Sequence, residues 1–281
     1  MAKSTAAVKT RKQSSRSYQE RLEAFDSYYQ ELYPERWPAL REALLGEGRY
    51  EALEEGLLQA YYLDPASAAV ARLLPLEADS RQLRLLDACA APGGKTLVLL
   101  QRLQGGDGAQ AQLVANERSA GRRARLHRVL QTHVPPELLA AVTVTGHDAT
   151  RWGLYEQDAY DGILLDVPCS SERHVLQSPR HVREWSPKRS DRLAKQAVAM
   201  LAAMIDALRP GGAVVYSTCA LTPRENDAVV ARVLERRGER VQLLPVELPF
   251  GEATEQGVQV LPDRSGGAGP MYAALLRKTP R

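Results

Sequence analysis

Residues 83–96 read LRLLDACAAPGGKT, a short apolar run that ends in an acid and is followed by a glycine-containing turn. A helical pattern begins directly after the turn, at Thr96. Glycines at a strand-to-helix turn let the backbone approach a ligand closely, and the start of the helix presents free amide donors. We therefore predict a ligand-binding turn made of Cys89, Ala90, Ala91, Pro92, Gly93, Gly94 and Lys95.

The same strand-and-helix pattern repeats along the chain after Asp64. Alternation of short apolar runs with amphipathic helices is typical of a mostly parallel sheet covered on both faces. The predicted strands are 83–88, 112–117, 142–146, 162–167 and 213–218, and the predicted helices are 96–104, 119–131, 188–208 and 224–237. Two last apolar runs, 241–246 and 271–277, predict an antiparallel pair that closes the sheet. The expectation is an α/β fold with a seven-stranded sheet.

The residues before Asp64 have a different character. Residues 1–17 contain five cations, no acid and too few large apolar residues to pack, which predicts a disordered basic arm. A solvated tail, an RNA-contacting arm and an organelle transit peptide are its three open interpretations. Residues 18–63 carry apolar residues at helical spacing and predict a small helical region. Residues 64–281 are expected to form one domain.

Composition limits the class of protein. The 281 residues are 44% hydrophobic and carry a net charge of +3, and no run approaches the roughly 20 apolar residues of a membrane helix. A secretory signal is absent as well, so we expect a cytoplasmic protein, with a mitochondrial transit peptide as the alternative. Cys89, Cys169 and Cys219 lack the spacing of zinc ligands or disulfides. We expect reduced thiols and no metal.

Acidic residues follow four successive predicted strands: Asp87, Glu117, Asp148 and Asp166. The carboxyl ends of parallel strands meet at one edge of a sheet, where open α/β folds bind their ligands. Glu117 lies about 20 residues beyond the glycines, where such folds place the carboxylate that binds a ribose. A phosphate loop would need a glycine where Cys89 stands, and a GxGxxG fingerprint is also missing. A turn without any ligand would leave the four acids unexplained.

Two cysteines follow the fourth and fifth predicted strands. Cys169 comes after Asp166-Val167-Pro168, and Cys219 comes after Ser217-Thr218. A thiolate that adds to carbon 6 of a pyrimidine makes carbon 5 nucleophilic enough to accept a methyl group, and a base must then remove the carbon 5 proton. Asp166 is placed to hold the pyrimidine edge. One cysteine would attack and the other would assist release, whereas the alternative is that both are buried packing residues.

A basic stretch follows Cys169, from Arg173 to Lys195. Within it we select Arg180, Arg183, Lys188 and Arg189 as candidate contacts to RNA phosphates. The alternative interpretation is a solvated charged face.

Three blocks carry a family resemblance: DACAAPGGKT, DVPCSSERH and YSTCALTPREND. In this order they resemble the Sun family of RsmB-like RNA cytosine-5 methyltransferases, and the similarity extends over about residues 62–278, including LDPAS and GPMYAALLRK. VPPELL, GHDATRWG and the terminal GPMY look most like the branch that modifies small-subunit ribosomal RNA in mitochondria.

The resemblance implies a Rossmann-like class I methyltransferase domain that binds S-adenosyl-L-methionine. It assigns cofactor contacts to the turn from Cys89 to Lys95 and to Glu117, Arg122, Asp148 and Asp166. It also makes Cys219 the nucleophile and Cys169 the residue that promotes product release. The chain departs from the family pattern where Glu117 replaces the commoner Asp and where Ala149 replaces Gly.

The expected function is methylation of cytosine carbon 5 in RNA, with ribosomal RNA or an assembling small ribosomal subunit as partner and no membrane. Docking is expected to use the region from Tyr18 to Ala60, the basic stretch or a partner protein. Transfer RNA is the second substrate candidate. DNA is a weaker one, because DNA enzymes use the Pro-Cys cysteine as nucleophile. A ribosome assembly factor without catalysis is the candidate from another class.

Overall fold

The N-terminal region combines two helices with a short hairpin. The computed structural model describes residues 18–76, 82–104 and 111–280, so the predicted arm of residues 1–17 lies outside the described residues. Helix α1 covers 18–32 and helix α2 covers Trp37–Leu45, and strands β1 (Glu51–Leu53) and β2 (Tyr61–Leu63) pair antiparallel. Residues 51–63 thus form a hairpin instead of the expected helix. Gly56 lies between the two strands with a φ of 68°, a conformation that favours glycine in a turn.

Eight further helices flank a central sheet in the described part of the chain. They are α3 (Pro65–Arg72), α4 (Gly94–Gln104), α5 (Ala120–His133), α6 (Pro136–Leu139), α7 (Glu172–Leu176), α8 (Pro179–Glu184), α9 (Pro187–Ala207) and α10 (Asp227–Arg237). The strands of the sheet are β3 (Leu83–Asp87), β4 (Ala111–Asn116), β5 (Val142–Thr145), β6 (Tyr160–Asp166), β7 (Leu208–Thr218), β8 (Val241–Leu244), β9 (Gly251–Ala253), β10 (Val258–Val260) and β11 (Met271–Lys278). None of the described helices is long and apolar enough to cross a membrane.

The strand order places a switch point at the middle of the sheet. The order is β5-β4-β3-β6-β7-β11-β10-β9, and β8 pairs with the second half of β11. Pairing is parallel from β5 to β7 and antiparallel from β7 onward. The chain starts at β3, builds toward β5, and then returns to the other side of β3 at β6. Ligands of open α/β sheets bind outside the carboxyl ends of the strands at such a reversal.

Two apolar cores cover the two faces of the sheet. Successive side chains of a strand point to opposite faces, so Leu85 packs with α3, α4 and α5, whereas Leu86 packs with α9 and α10. Both leucines are fully buried. The strands are therefore apolar on both faces, which is why they read in the sequence as continuous apolar runs.

A third apolar cluster joins the N-terminal helices to the segment after β6. Phe25 and Tyr29 of α1 pack against Trp37 of α2 and Trp185, which follows α8. Val175 of α7 belongs to the same cluster. The N-terminal region is thereby fixed beside the carboxyl end of β6.

The predicted Rossmann-like α/β fold is confirmed, and all seven predicted strands are present. The sheet also contains β9 and β10, which were not predicted. Each has only three residues, too few for an alternating pattern to stand out from a loop.

Candidate active site

The turn after β3 is shaped by one glycine with a positive φ and by a buried acid. Gly93 has a φ of 126°, and a Cβ there would lie 2.9 Å from a methyl group of Val129, so the turn requires glycine. The Asp87 carboxylate accepts a 2.7 Å hydrogen bond from the Thr96 hydroxyl at the start of α4. Burial raises the pKa of Asp87 to about 7 despite this bond. Asp87 therefore holds the turn and is not available to a ligand.

Asn116 aligns the ends of three strands and was not selected from the sequence. Its Nδ2 donates to the carbonyl oxygens of Ala88 at 3.0 Å and His147 at 3.1 Å. Its Oδ1 accepts from the Thr145 hydroxyl at 2.9 Å and from the His147 amide at 2.8 Å. An amide has two donors and two acceptor sites, so all are used. The signal available in the sequence was an asparagine at the end of an apolar strand, directly before Glu117.

A first cavity of about 330 Å³ opens beside the turn, and we refer to it as the cofactor cavity. Its lining includes Cys89, Glu117, Arg122, His147, Pro168 and Met200. Glu117 is buried, with only 4% of the residue exposed. Its carboxylate accepts a hydrogen bond from the Ser119 amide at 2.8 Å and lies 3.3 Å from Arg122 Nε. Burial raises the pKa of the Cys89 thiol, which keeps it neutral in the cavity wall.

Arg122 connects the turn with Glu117, because its Nη2 also donates to the Ala91 carbonyl oxygen at 2.7 Å. The structure thus brings together three elements selected from the sequence: the turn, Glu117 and Arg122. Asp148 is different, since its neighbours His147 and Ala149 line the cofactor cavity but Asp148 does not. Its carboxylate caps the short 3-10 turn Ala149–Leu154 by accepting from the Thr150 amide and hydroxyl.

A second cavity of about 630 Å³ adjoins the first, shares Arg122 and Pro168 with it, and is referred to below as the catalytic cleft. Asp166 lies in its wall and accepts from Lys95 Nζ at 2.7 Å and from the Ser217 hydroxyl at 3.0 Å. The Lys95 side chain is only 12% exposed. Burial alone would lower the pKa of Lys95, but the Asp166 carboxylate outweighs burial and raises it. The cleft therefore contains a fixed cation–anion pair.

The two cysteine sulfurs lie together in this cleft. Cys169 Sγ is 2.8 Å from Cys219 Sγ, and both thiols are free. The Ser171 hydroxyl lies 3.0 Å from Cys219 Sγ and 3.4 Å from Cys169 Sγ. Hydrogen bonding to Cys219, together with burial, raises the pKa of Cys169 well above its ordinary range. These effects favour the protonated form of Cys169, whose sulfur touches that of Cys219.

Two buried glutamates hold the loop that carries Cys169, and neither was selected from the sequence. Glu225 accepts from the Ser170 amide at 2.9 Å, and Glu172 accepts from the Leu221 amide at 2.9 Å. Glu172 also accepts from the Tyr29 hydroxyl of α1. Both acids occur inside polar blocks of the sequence, SSERH and PREND, so nothing in the sequence indicated that they are buried.

Glu225→Gln should alter the pH dependence of stability. Burial and the nearby Glu172 raise the pKa of Glu225 from 4.5 to about 7. Because the folded state then binds this proton more tightly, the free energy of unfolding falls as pH rises through this window, by up to about 1.4 kcal/mol per pH unit. The variant should lose the share of this decline that Glu225 contributes, whereas the share of Asp87, whose pKa is also raised to about 7, should remain. Urea titrations across the window measure it, with Glu235→Gln on the exposed side of α10 as control. Parallel pH profiles for wild type and Glu225→Gln would contradict the assignment.

The four basic residues selected as candidate RNA contacts have different surroundings in the structure. Arg189 lines the catalytic cleft, together with His174 and His181 from the same basic stretch. Arg180 is 81% exposed in its side chain and pairs with Glu184 at 2.9 Å. Arg183 lies over the ring of Tyr18, and Lys188 is exposed near the start of α9.

Residues 72–277 match the family model described as 16S rRNA methyltransferase RsmB/F. The chain belongs to this family. It is 35% identical to the 5-cytosine rRNA methyltransferase NSUN4 of Mus musculus, over 80% of this chain and 61% of the relative. It is 36% identical to a tRNA (cytosine(34)-C(5))-methyltransferase, mitochondrial, of Danio rerio, over 79% of this chain and 62% of that protein. The chain thus spans about three fifths of the length of these relatives.

Among solved structures, the chain resembles NSun6 from Pyrococcus horikoshii with SFG. The TM-score is 0.62 and the identity is 25%, over 81% of this chain and 55% of the other. The similarity confirms the family resemblance that the three sequence blocks indicate. The cytoplasmic location stays a prediction, because one relative of this family is mitochondrial by name.

Proposed function

We propose that this protein transfers the methyl group of S-adenosyl-L-methionine to carbon 5 of a cytosine in RNA. The observation that carries the proposal is the pair of touching thiols, Cys169 and Cys219, beside the Lys95–Asp166 pair. These four side chains line or adjoin a cleft that continues into the cofactor cavity. Family membership supports the same reaction, since the curated relatives are cytosine-5 RNA methyltransferases by name.

The cofactor cavity fits an adenosine-type ligand. Glu117 offers a buried carboxylate to ribose hydroxyls, while the turn after β3 offers backbone groups at the start of α4. Cys89 and Met200 supply apolar walls for a planar ring. When bound, S-adenosyl-L-methionine supplies an electrophilic methyl group, and the shared wall at Pro168 connects its cavity with the cleft.

In the proposed mechanism Cys219 attacks, which is the role that the family resemblance gives it, and Cys169, whose Sγ lies 2.8 Å away, is the neighbouring thiol that assists release. Cys219 first loses its proton to water or a base in the cleft. A bond then forms between its Sγ thiolate and carbon 6 of the cytosine, and electron density moves to carbon 5 and the ring. Asp166 holds the ring edge and Lys95 stabilises the developing negative charge. Methyl transfer to carbon 5 would leave S-adenosylhomocysteine in the cofactor cavity. A base or water in the cleft then takes the carbon 5 proton, the C–H electron pair restores the carbon 5–carbon 6 double bond, and the sulfur–carbon bond breaks with its electron pair returning to Cys219.

Release of the carbon 5 hydrogen tests this reaction directly. RNA transcribed with [5-³H]cytidine should lose tritium to water only when protein and S-adenosyl-L-methionine are both present. Methyl transfer without tritium release would place the methyl group on another atom and would overturn the proposal. No transfer to any cellular RNA, despite cofactor binding, would favour the assembly-factor alternative.

We propose small-subunit ribosomal RNA as the substrate, on the name of the mouse relative and on the family model. Transfer RNA is a second candidate because the zebrafish relative modifies it by name. Bisulfite sequencing of total RNA from cells with and without the gene distinguishes them, since the cytosine mark that is lost identifies the molecule. We further propose that residues 64–281 form the catalytic domain. We also propose that Arg189 contacts RNA phosphates at the cleft.

Glu117→Ala should weaken cofactor binding at least tenfold. The carboxylate would accept two charge-assisted hydrogen bonds from the ribose, each worth roughly 1.5–3 kcal/mol. Titration calorimetry with S-adenosylhomocysteine measures the affinity without turnover. Glu137→Ala, a change on the exposed surface of α6, is the control. Unchanged affinity in a folded Glu117→Ala protein would refute the ribose assignment.

A further inference from the structure

A third cavity, of about 230 Å³, meets the catalytic cleft at the reacting sulfur. Cys219, Ser171 and His174 line both spaces. The three cavities therefore form one continuous path, in which the cofactor cavity joins the cleft at Pro168 and the third cavity joins it at Cys219. The cofactor and the target cytosine fill the first two in the proposed function, which leaves the third without an assigned occupant.

The wall of the third cavity is held in place by the hydrogen bonds of two charged side chains. Arg173 donates to the carbonyl oxygens of Gly269, Gly46 and Gly267 at 3.1, 3.2 and 3.0 Å. Asp64 accepts from the Gly269 amide at 2.8 Å and also caps α3. These contacts fix the loop before β11 against the N-terminal region. The cavity is thus built in advance, as ligand sites generally are.

Two side chains at the opening have free surface for a ligand. Gln177 lies at the end of α7 and is exposed, and its side-chain amide makes no hydrogen bond within the described residues. His174 is also exposed, with its ring 4.3 Å from the ring of His181. A free amide reads the edge of a nucleobase, and an imidazole ring stacks on its face.

The volume of the third cavity and its connection to the catalytic cleft favour a single planar ring as its occupant. Pockets for drug-sized ligands have volumes of about 300–1,000 Å³, and this cavity is smaller. Enzymes that extrude a target base also contact the nucleotides on either side of it. A cavity that opens at the sulfur which attacks the target base lies within reach of such a neighbour.

We propose that the third cavity binds the base of the nucleotide adjacent to the target cytosine, with Gln177 reading its edge and His174 stacking on its face. The inference rests on the proposed function. Such a subsite would make the enzyme prefer certain bases next to the target cytosine. This preference would come from the third cavity and not from the site that binds the cytosine.

Short single-stranded RNAs test this subsite. Each contains one cytidine, flanked on one side or the other by adenosine, guanosine or uridine, and methyl transfer and binding by fluorescence anisotropy are both measured. Wild type should prefer one base at one flanking position, and Gln177→Leu should reduce that preference about tenfold, the value of a lost edge contact. Gln131→Leu and His127→Ala, exposed changes on α5, are matched controls.

The outcomes separate the subsite from the proposed function. A base preference that is unchanged in both Gln177→Leu and His174→Ala would overturn the subsite. A rate of methyl transfer that falls equally on every RNA in these variants would overturn it as well. Transfer to none of the RNAs by wild type would count against the function, while base-dependent affinity that disappears in Gln177→Leu would still support the subsite.

Discussion

A Cys219→Ala protein should transfer no methyl group to RNA and should form no covalent complex with it. Without the sulfur no bond to carbon 6 can form, and carbon 5 does not become nucleophilic. Cys219 lies in the cleft wall and is only partly buried, so its truncation should cost little stability. Tritium release and denaturing electrophoresis of RNA incubated with the variant measure both expectations.

Cys169→Ala should show the opposite behaviour. Attack and methyl transfer remain possible, but elimination loses the neighbouring thiol that lies 2.8 Å from the attacking sulfur. A protein–RNA adduct should therefore accumulate and survive denaturing electrophoresis. An adduct with Cys219→Ala, or full turnover by it, would reverse the roles and make the site resemble that of DNA enzymes. Full activity of both variants would leave the cysteines as packing residues.

Asp166→Asn should reduce methyl transfer by about two to three orders of magnitude, the usual cost of removing one preorganised charged group. Asparagine has the same shape and can still accept from the Ser217 hydroxyl, but it cannot balance the Lys95 ammonium. Burial would then lower the pKa of Lys95, because the carboxylate that now outweighs burial is gone. The cleft would lose both charges that act on the ring.

The measurement is the single-turnover rate at saturating cofactor and RNA, with the folded fraction determined by circular dichroism. Asp191→Asn, at an exposed pair with Arg224, is the matched control and should leave the rate unchanged. If Asp166 only supports the fold, the rate should fall no further than the folded fraction does. That result would remove Asp166 from the catalytic set.

The fold could be predicted because each long strand or helix is encoded by its own short stretch of sequence. Apolar runs such as residues 83–88 are buried on both faces, and four of the five predicted parallel strands are followed by a stretch with helical periodicity, so the order of strands and helices could be predicted. The hairpin of residues 51–63 could not, since its strands have only three residues each. The chain alone does not indicate which short segments find a partner strand.

The site was predictable where its residues follow strands. Cys169 and Cys219 each follow one of the adjacent parallel strands β6 and β7, so their positions in the sequence were enough to predict that they lie close together. Glu172 and Glu225 could not be selected, because their role depends on amides of Leu221 and Ser170 that are distant in sequence. Arg180 was selected as an RNA contact from its position in a basic stretch. That position did not indicate that Arg180 forms an ion pair with Glu184 in the same helix.

The contact between α1 and the catalytic loop has a consequence for synthesis of the chain. The Tyr28 and Tyr33 hydroxyls bond to Thr222 and Leu221, partners that the ribosome adds almost two hundred residues later. Translation runs at about 5–20 residues per second, so α1 must wait on the order of ten seconds or more for the surface it covers. Helix α1 can therefore dock only after the segment around Leu221 and Thr222 has emerged from the ribosome, so this part of the cleft is completed late in synthesis.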